Sequence, residues 1–384
     1  MRLVTTNLTV EEVKPVLQKL VDHLYVRIPA GVGGRGYLKP SRSQFEKVVV
    51  EGAPWCIRHG YGWEEDLENT EEGGYLAGAD LGAVSSRAVE RGYQQLGTLG
   101  SGNHYLEIQV VKPENVFNRE LAEAFGITVP NQIAVMFHCG SRGFGHQIAT
   151  DYVQSFLRVM GSKYHLSVPD RELACAPFMS PEGQAYFAAM KCAANMSFAN
   201  RQMILHQIRI AFSEVFGRTA EDLGMHQVYD VAHNTAKLEE HVINGEKRKL
   251  LVHRKGATRA FGPSMEGLPE KYQKTGQPVI IGGSMQTGSY LLTGMSSGAV
   301  TFFSTAHGSG RVMGRRQARK GVSGRDLQHR MMEQGIYVRT ASFSGLAEEA
   351  GSAYKDIDQV IEATRLAGIS RPVARFTPLG NVKG

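Results

Sequence analysis

Residues 133–143 read Ile133-Ala-Val-Met-Phe-His138-Cys-Gly-Ser-Arg-Gly143. A short apolar run with no polar alternation predicts a strand buried on both faces, and it ends at an imidazole where a glycine-flanked loop begins. Two other segments repeat the arrangement. Gly100-Ser-Gly-Asn-His104 precedes the alternating Leu106, Ile108 and Val110, and Val228-Tyr-Asp-Val-Ala runs into His233-Asn234. Strand-like runs at 106–111, 228–231, 250–252, 279–281, 300–303 and 337–339 complete the set. Helical spacing is clear in two places. Thr9-Val-Glu-Glu12 has the form of a capping box ahead of Val13, Val16, Leu17, Leu20, Val21 and Leu24, with Pro15 predicting a kink or a later start. A broad apolar stripe from Ala189 to Phe212 predicts a long helix over 184–216, and shorter ones are expected at 151–160 and 358–366. Strands and helices do not alternate regularly, so neither a barrel nor a doubly wound sheet is indicated. The expected class is α+β: one large domain over 1–384, with mixed sheets and surrounding helices.

Composition narrows the function. The chain has 384 residues, 42% hydrophobic and 21% charged, which excludes disorder, and its 44 glycines follow no three-residue period. No run of 18 apolar residues predicts a membrane span. Met1–Val10 offers no stretch that reads as a signal peptide, so a cytoplasmic protein is expected. Cys56, Cys139, Cys175 and Cys192 form no Cys-x-x-Cys pair, which fits a reducing compartment and argues against zinc ribbons. The formal net charge of +6 resides entirely in residues 301–384, where 13 Lys and Arg oppose 7 Asp and Glu. Arg311, Arg315, Arg316, Arg319 and Lys320 fall within ten residues; they suit a phosphate-rich partner and equally a solvated helix face.

An imidazole at the end of a buried strand is either a hydrogen-bonded structural residue or a ligand, and three that converge can hold a divalent transition metal. Spacing along the chain leaves both readings open. In a regular strand His104 and Glu107 face opposite sides, and Cys139 is poorly placed to join His138. Gly282-Gly-Ser-Met285 and Thr287-Gly-Ser289 offer backbone N–H groups that suit an anion. Thr305-Ala-His307-Gly-Ser-Gly310-Arg311 sets a histidine and a glycine loop ahead of the basic segment. Neither is a P-loop. The residues alone indicate a phosphate-binding α+β enzyme.

These blocks resemble the RtcB family of GTP-dependent 3′-phosphate RNA-splicing ligases. Matching stretches run the length of the chain: Leu99-Gly-Ser-Gly-Asn-His104, His138-x-Gly-Ser-Arg-Gly143, Ala232-His-Asn234, Arg254-Lys-Gly-Ala257, Gly283-Ser-Met285, His307-Gly-x-Gly-Arg311, Ala353-Tyr-Lys-Asp356 and Val382-Lys-Gly384. The resemblance implies that His307 attacks the α-phosphorus of GTP to form a histidine–GMP adduct. A 2′,3′-cyclic phosphate RNA end is opened to a 3′-phosphate, GMP passes onto it, and a 5′-hydroxyl RNA end then seals the break. It implies two Mn2+ ions, with His104 resembling a ligand of one and His138 and His233 ligands of the other. Asn103, Glu107, Asn234, Gly283, Ser284, Met285, Ser289, Gly308, Ser309, Gly310, Tyr354 and Lys383 match the guanylate pocket.

Departures are few. Family members carry an Asp-x-x-Cys-Gly segment just before the position of Arg2, whose Asp and Cys bind manganese, and the abrupt match from Arg2 leads us to expect a ligase piece partnered by an N-terminal fragment. Gly282 replaces a usual proline, and Ala306 a usual cysteine. The resemblance also implies an archease-like activator as a possible partner. Two other functions stay open: a manganese-dependent cyclic phosphodiesterase or phosphatase, and an inactive RNA- or nucleotide-binding remnant.

Overall fold

The computed structural model describes residues 1–384. Its strands are β1 (Arg2–Thr9), β2 (Tyr105–Val111), β3 (Gln132–His138), β4 (Gln227–Asp230), β5 (Asn234–Ile243), β6 (Glu246–Lys255), β7 (Ala257–Arg259), β8 (Pro278–Gly282), β9 (Ser289–Gly294), β10 (Ser304–Ala306), β11 (Tyr337–Thr340) and β12 (Ser370–Lys383). Eight of them make one sheet in the order β4-β1-β3-β2-β12-β9-β8, with β11 alongside β12. Only the β11–β12 pair is parallel. β7 with β10 and β5 with β6 form separate two-stranded ribbons. The α+β expectation, with mixed sheets and surrounding helices, holds.

The apolar run 133–137 is explained by what lies on each side of β3. Ile133, Val135 and Phe137 join Leu106, Ile108 and Val110 in a core shared with Leu20, Leu24, Ile204, Ile208 and Phe212 from two helices. Ala134 and Met136 face a second core with Met1, Leu3, Tyr229, Tyr272, Ile280, Leu291 and Phe376. Both faces are covered, so a polar alternation has no place in this strand. On β2 the residues facing the second core include Glu107 and Gln109, both buried. Strand alternation therefore inserts polar groups into an otherwise apolar layer, and they mark where the cleft opens.

β12 ties the sheet together. Its first half pairs with β9 and its second with β2, so Asn381 lies opposite Glu107 and Lys383 opposite Tyr105. The β2–β3 register sets Tyr105 opposite His138. Three histidine-bearing loops thus leave the sheet close together.

The helices form for the expected local reasons. At the start, the capping box is present and Thr9 N–H donates to Glu12 at 2.8 Å. Pro15 sits in a 3₁₀ turn, Lys14–Val16, and the main helix Leu17–Arg27 begins after it. The long helix is Pro181–Phe216, with Pro181 in its first turn, Ser180 Oγ accepting from Gly183 N–H at 3.1 Å and Gly217 closing it at φ 63°. Its buried Asn200 accepts from the N–H groups of Gly97 and Thr98 and donates to the carbonyls of Thr98 and Gly140. One amide side chain therefore braces the loops that carry His104 and His138. The run 300–303 is not the expected strand. Ser296–Thr301 is a 3₁₀ segment, Phe302 and Phe303 have φ of 52° and 49°, and the strand starts only at Ser304. Left-handed backbone cannot continue a ladder. No helix is long and apolar enough to cross a membrane.

Candidate active site

A cleft of about 160 Å³ opens at the end of β2, β12 and β8. Its lining includes Asn103, Glu107, His138, Gly283, Ser284, Met285, His307, Gly308, Ser309, Gly310, Tyr354 and Lys383, all singled out from the sequence. His104 and His233 lie against this lining through ring contacts: His104 to His138 at 5.4 Å between centroids, His233 to His307 at 4.2 Å. Ser289 sits behind it, accepting from the Gln109 amide at 3.2 Å. Asn234 is exposed at the root of the β5–β6 ribbon and is not among the lining residues. The alternation argument that separated His104 from Glu107 does not apply, because β2 begins only at Tyr105.

Four imidazoles meet here. His138 Nε2 and His233 Nε2 face each other at 2.8 Å, and His138 Nδ1 lies 3.1 Å from the Asn103 carbonyl. A carbonyl accepts only, so Nδ1 of His138 carries the proton and Nε2 presents its lone pair. That is the tautomer a metal-binding histidine needs, with its other ring nitrogen tied to a carbonyl. Burial lowers all four pKa values: His104 to about 3, with Arg142 adding to the effect, and His307 to about 4, with the Met1 amino group adding to it. His138 and His233 lie well below the ordinary value for the same reason, each helped by a neighbouring histidine. The cluster is neutral at pH 7, and Nδ1 of His104, His233 and His307 has no hydrogen-bond partner. Neutral imidazoles with free ring nitrogens are the right donor chemistry for a borderline divalent ion. No three His, Cys, Asp or Glu side chains converge on one point, so the donors are present without forming a closed coordination shell. Cys139 is not among them. Its buried thiol accepts from Asn200 at 3.4 Å, and burial pushes its pKa up.

The cleft wall carries the polar specificity. Glu107 accepts from Gln109 at 2.5 Å and from Asn381 at 2.7 Å. Burial raises its pKa to about 7 against the pull of those hydrogen bonds and of Lys383. Lys383 is lowered to about 8, again by burial, with Glu349 and Glu107 opposing. The two glycine loops close over one another. Gly282 N–H donates to the His307 carbonyl at 3.3 Å and Ser309 N–H to the Gly282 carbonyl at 3.0 Å. A proline at 282 would lack the first of these bonds. Ser309 Oγ is buried without a partner, and Gly310 at φ 73° adopts backbone that favours glycine.

Sequence reasoning missed the lining residues Tyr105 and Glu349, and it read Arg311 and Arg315 as part of a basic segment without placing them in the cleft. The basic segment divides. Arg311 precedes the helix Arg315–Gly321 and turns inward to Glu349 and the Tyr354 hydroxyl, each at 3.2 Å, while Arg316, Arg319 and Lys320 stay exposed. Nothing local marked Glu349, which meets Arg311 across 38 residues. Gln109 could have been found, since it shares the Glu107 face two residues on.

A family model described as tRNA-splicing ligase RtcB matches residues 1–384. The chain is 52% identical over 386 residues to the tRNA-splicing ligase RtcB of Pyrococcus horikoshii, covering 100% of this chain and 44% of that relative. Against the proteins of the same name from Thermococcus kodakarensis and Archaeoglobus fulgidus, identity is 50% and 51% over 384 residues, covering 79% of each. The chain thus spans about two-fifths of the length of the Pyrococcus relatives, which at Pyrococcus abyssi is 42%.

Proposed function

This chain belongs to the RtcB family, and from that premise we propose that it is a GTP- and manganese-dependent RNA ligase. It would join 2′,3′-cyclic-phosphate or 3′-phosphate RNA ends to 5′-hydroxyl ends through a covalent histidine–GMP intermediate, in tRNA splicing or RNA repair. The observation that carries the reading is the convergence of His307 with His138 and His233 on the lining of a cleft whose wall holds a buried carboxylate and a buried ammonium. We take residues 1–384 as one RtcB-like domain acting in the cytoplasm. The proposed partners are the two RNA ends and an archease-like activator.

In this reading His307 is the nucleophile. Its imidazole is neutral at pH 7, so a lone pair is available without a general base. Attack on the α-phosphorus of GTP forms a P–N bond and releases pyrophosphate. His104, His138 and His233 would hold manganese, which when bound neutralises charge on the transferring phosphate. The backbone N–H groups of Met285, Gly308 and Gly310 and the Ser309 hydroxyl would bind phosphate oxygens. Asn103, Asn234 and Ser289 would complete the pocket, with Tyr354 as a side wall. Guanine presents N–H donors and a carbonyl acceptor along one edge. Glu107 and Lys383 offer the complementary acceptor and donor.

The direct test is to incubate the chain with Mn2+ and α-phosphate-labelled GTP. Acid-labile label on the protein supports the ligase; opening of a cyclic phosphate end without any label would favour the phosphodiesterase instead, and neither would favour a remnant. Glu107→Gln is expected to raise KM for GTP about 10- to 100-fold in this step, since hydrogen bonds to a charged acceptor are each worth about 1.5–3 kcal/mol. The ionised carboxylate is the form that accepts both guanine donors. In the parent, therefore, KM falls as pH rises through about 7, and in the variant that dependence flattens.

A further inference from the structure

The β5–β6 ribbon is an arm with two unlike faces. Its inner face is saturated. Lys237 reaches Glu71 and Glu72, and Arg254 makes paired bonds to Glu239 at 2.5 and 2.8 Å and a third to Ser304 at 2.9 Å. His241 packs on Phe302 and bonds Glu239 at 3.0 Å. The tip is the tight turn Asn244-Gly245, both residues at positive φ, which matches the twist of the two strands. The ribbon is thus rigidly fixed to the body on one side.

The outer face is cationic and unpaired. Lys247, Lys249, His253 and Lys255 are exposed at alternate positions along β6, and none makes an ion pair or side-chain hydrogen bond within the chain. Opposite them on β5 stand Val242, Glu240, Ala236 and Asn234, with Leu238 facing Leu251 in the gap. Glu240 is the one acid on this face. Alternate residues of a strand are spaced about 6.6 Å apart, in step with successive phosphates of an extended single strand, and the row from Lys255 to Lys247 covers roughly 26 Å. It also has a direction. β5 starts beside His233, and after Lys255 the chain passes Gly256 into β7, whose Ala257 pairs with Ala306, the neighbour of His307. The row therefore begins at the candidate nucleophile and leads away from it.

Resting on the RNA-joining reading above, we propose that the outer face of the β5–β6 ribbon is the track along which one single-stranded RNA end lies as it enters the active site. Phosphates sit over Lys255, His253, Lys249 and Lys247 in order from the reacting terminus, and the Leu238–Leu251 pair carries a base between them.

The test uses the chain with single-stranded RNA ending in a 3′-phosphate. For Lys247→Gln with Lys249→Gln, the slope of log affinity against log salt is expected to fall by about 1.4, and Kd to rise roughly tenfold near 0.1 M salt. Glu240→Lys should shift both in the opposite direction. With a two-nucleotide RNA, too short to reach Lys249, parent and double variant should bind alike. Label transfer from GTP is unchanged in these variants, whose altered residues lie far from His307. An unchanged slope with the long RNA overturns the proposal and assigns the face to another acidic partner; equal losses with long and short RNA overturn it too. If the parent takes no label from GTP yet the slope falls as stated, the ligase reading fails and the RNA track stands.

Discussion

In His307→Ala, label from α-phosphate-labelled GTP is expected to disappear entirely, with Tm within about 2 °C of the parent. The first half follows from what a P–N adduct requires. The nucleophile must be a neutral imidazole with a ring nitrogen free to attack. Burial holds His307 near a pKa of about 4 and leaves its Nδ1 without a partner. Two of the other three histidines, His138 and His233, are committed to each other. His138 has Nδ1 on the Asn103 carbonyl and Nε2 against His233, so replacing either of them disturbs a contact as well as a candidate ligand. The second half follows from position. His307 is half-buried at the end of the three-residue strand β10, and the bonds that close its loop, between 282 and 307–309, are made by backbone. Alanine preserves those bonds. Label at the parent's level would remove His307 from the nucleophile role, while a large fall in Tm would show that its ring supports the fold.

The legible parts of this molecule were those in which a local pattern and its tertiary use coincide. β3 reads as a buried strand because both its faces are covered, and the helix Pro181–Phe216 reads as a helix because its apolar stripe is long. The glycine loops around Ser284 and Ser309 were visible as loops, and the structure sets them against one another. What escaped was long strands of ambiguous composition. β12 contains Pro372, Pro378 and Gly380 and shifts register twice, so no alternation survives in its sequence, although it joins β2 to β9. β5, and β6 outside the expected run 250–252, have charged residues on both faces, because the inner charges are neutralised by Glu71, Glu72 and Glu239 and the outer ones face solvent. The first strand, β1, looks unremarkable, yet Arg2 within it is wholly buried. Its partner lies 228 residues away. The pattern for the run 300–303 misled because two phenylalanines suggest a strand whatever their φ.

That same separation makes Asp230 the most consequential structural residue outside the cleft. Asp230→Ala is expected to cost about 3–5 kcal/mol, against a total stability of about 5–15 kcal/mol for most domains. Asp230, at the end of β4, is fully buried and accepts from Arg2 Nε at 2.8 Å and from Arg201 Nε at 2.8 Å. It therefore joins the first strand of the sheet, its edge strand and the long helix. Removing it leaves two guanidiniums in an apolar interior without a counter-charge, which is far worse than losing an exposed pair. His233 lies three residues beyond, so the histidine cluster should loosen as the triad fails. Acid should act through the same groups. Burial alone would raise the Asp230 pKa, but Arg201 and Arg2 outweigh it and hold the value below the ordinary one. Glu71 behaves likewise, held at about 2 by Lys237 and Arg259 against burial. A carboxylate whose pKa is depressed on folding contributes its full stability above the unfolded value, and the contribution is lost as pH falls below that value through the folded one. The parent should therefore lose stability on acidification from about pH 6.5 downward, first through the four buried neutral histidines and below about pH 4.5 through these carboxylates as well, and Asp230→Ala should lose less over the lower range because one such group is gone. Urea unfolding of both proteins between pH 7 and pH 3 measures each effect. A difference under about 1 kcal/mol at pH 7, or parallel acid curves, would show that the triad does not hold the sheet to the helix.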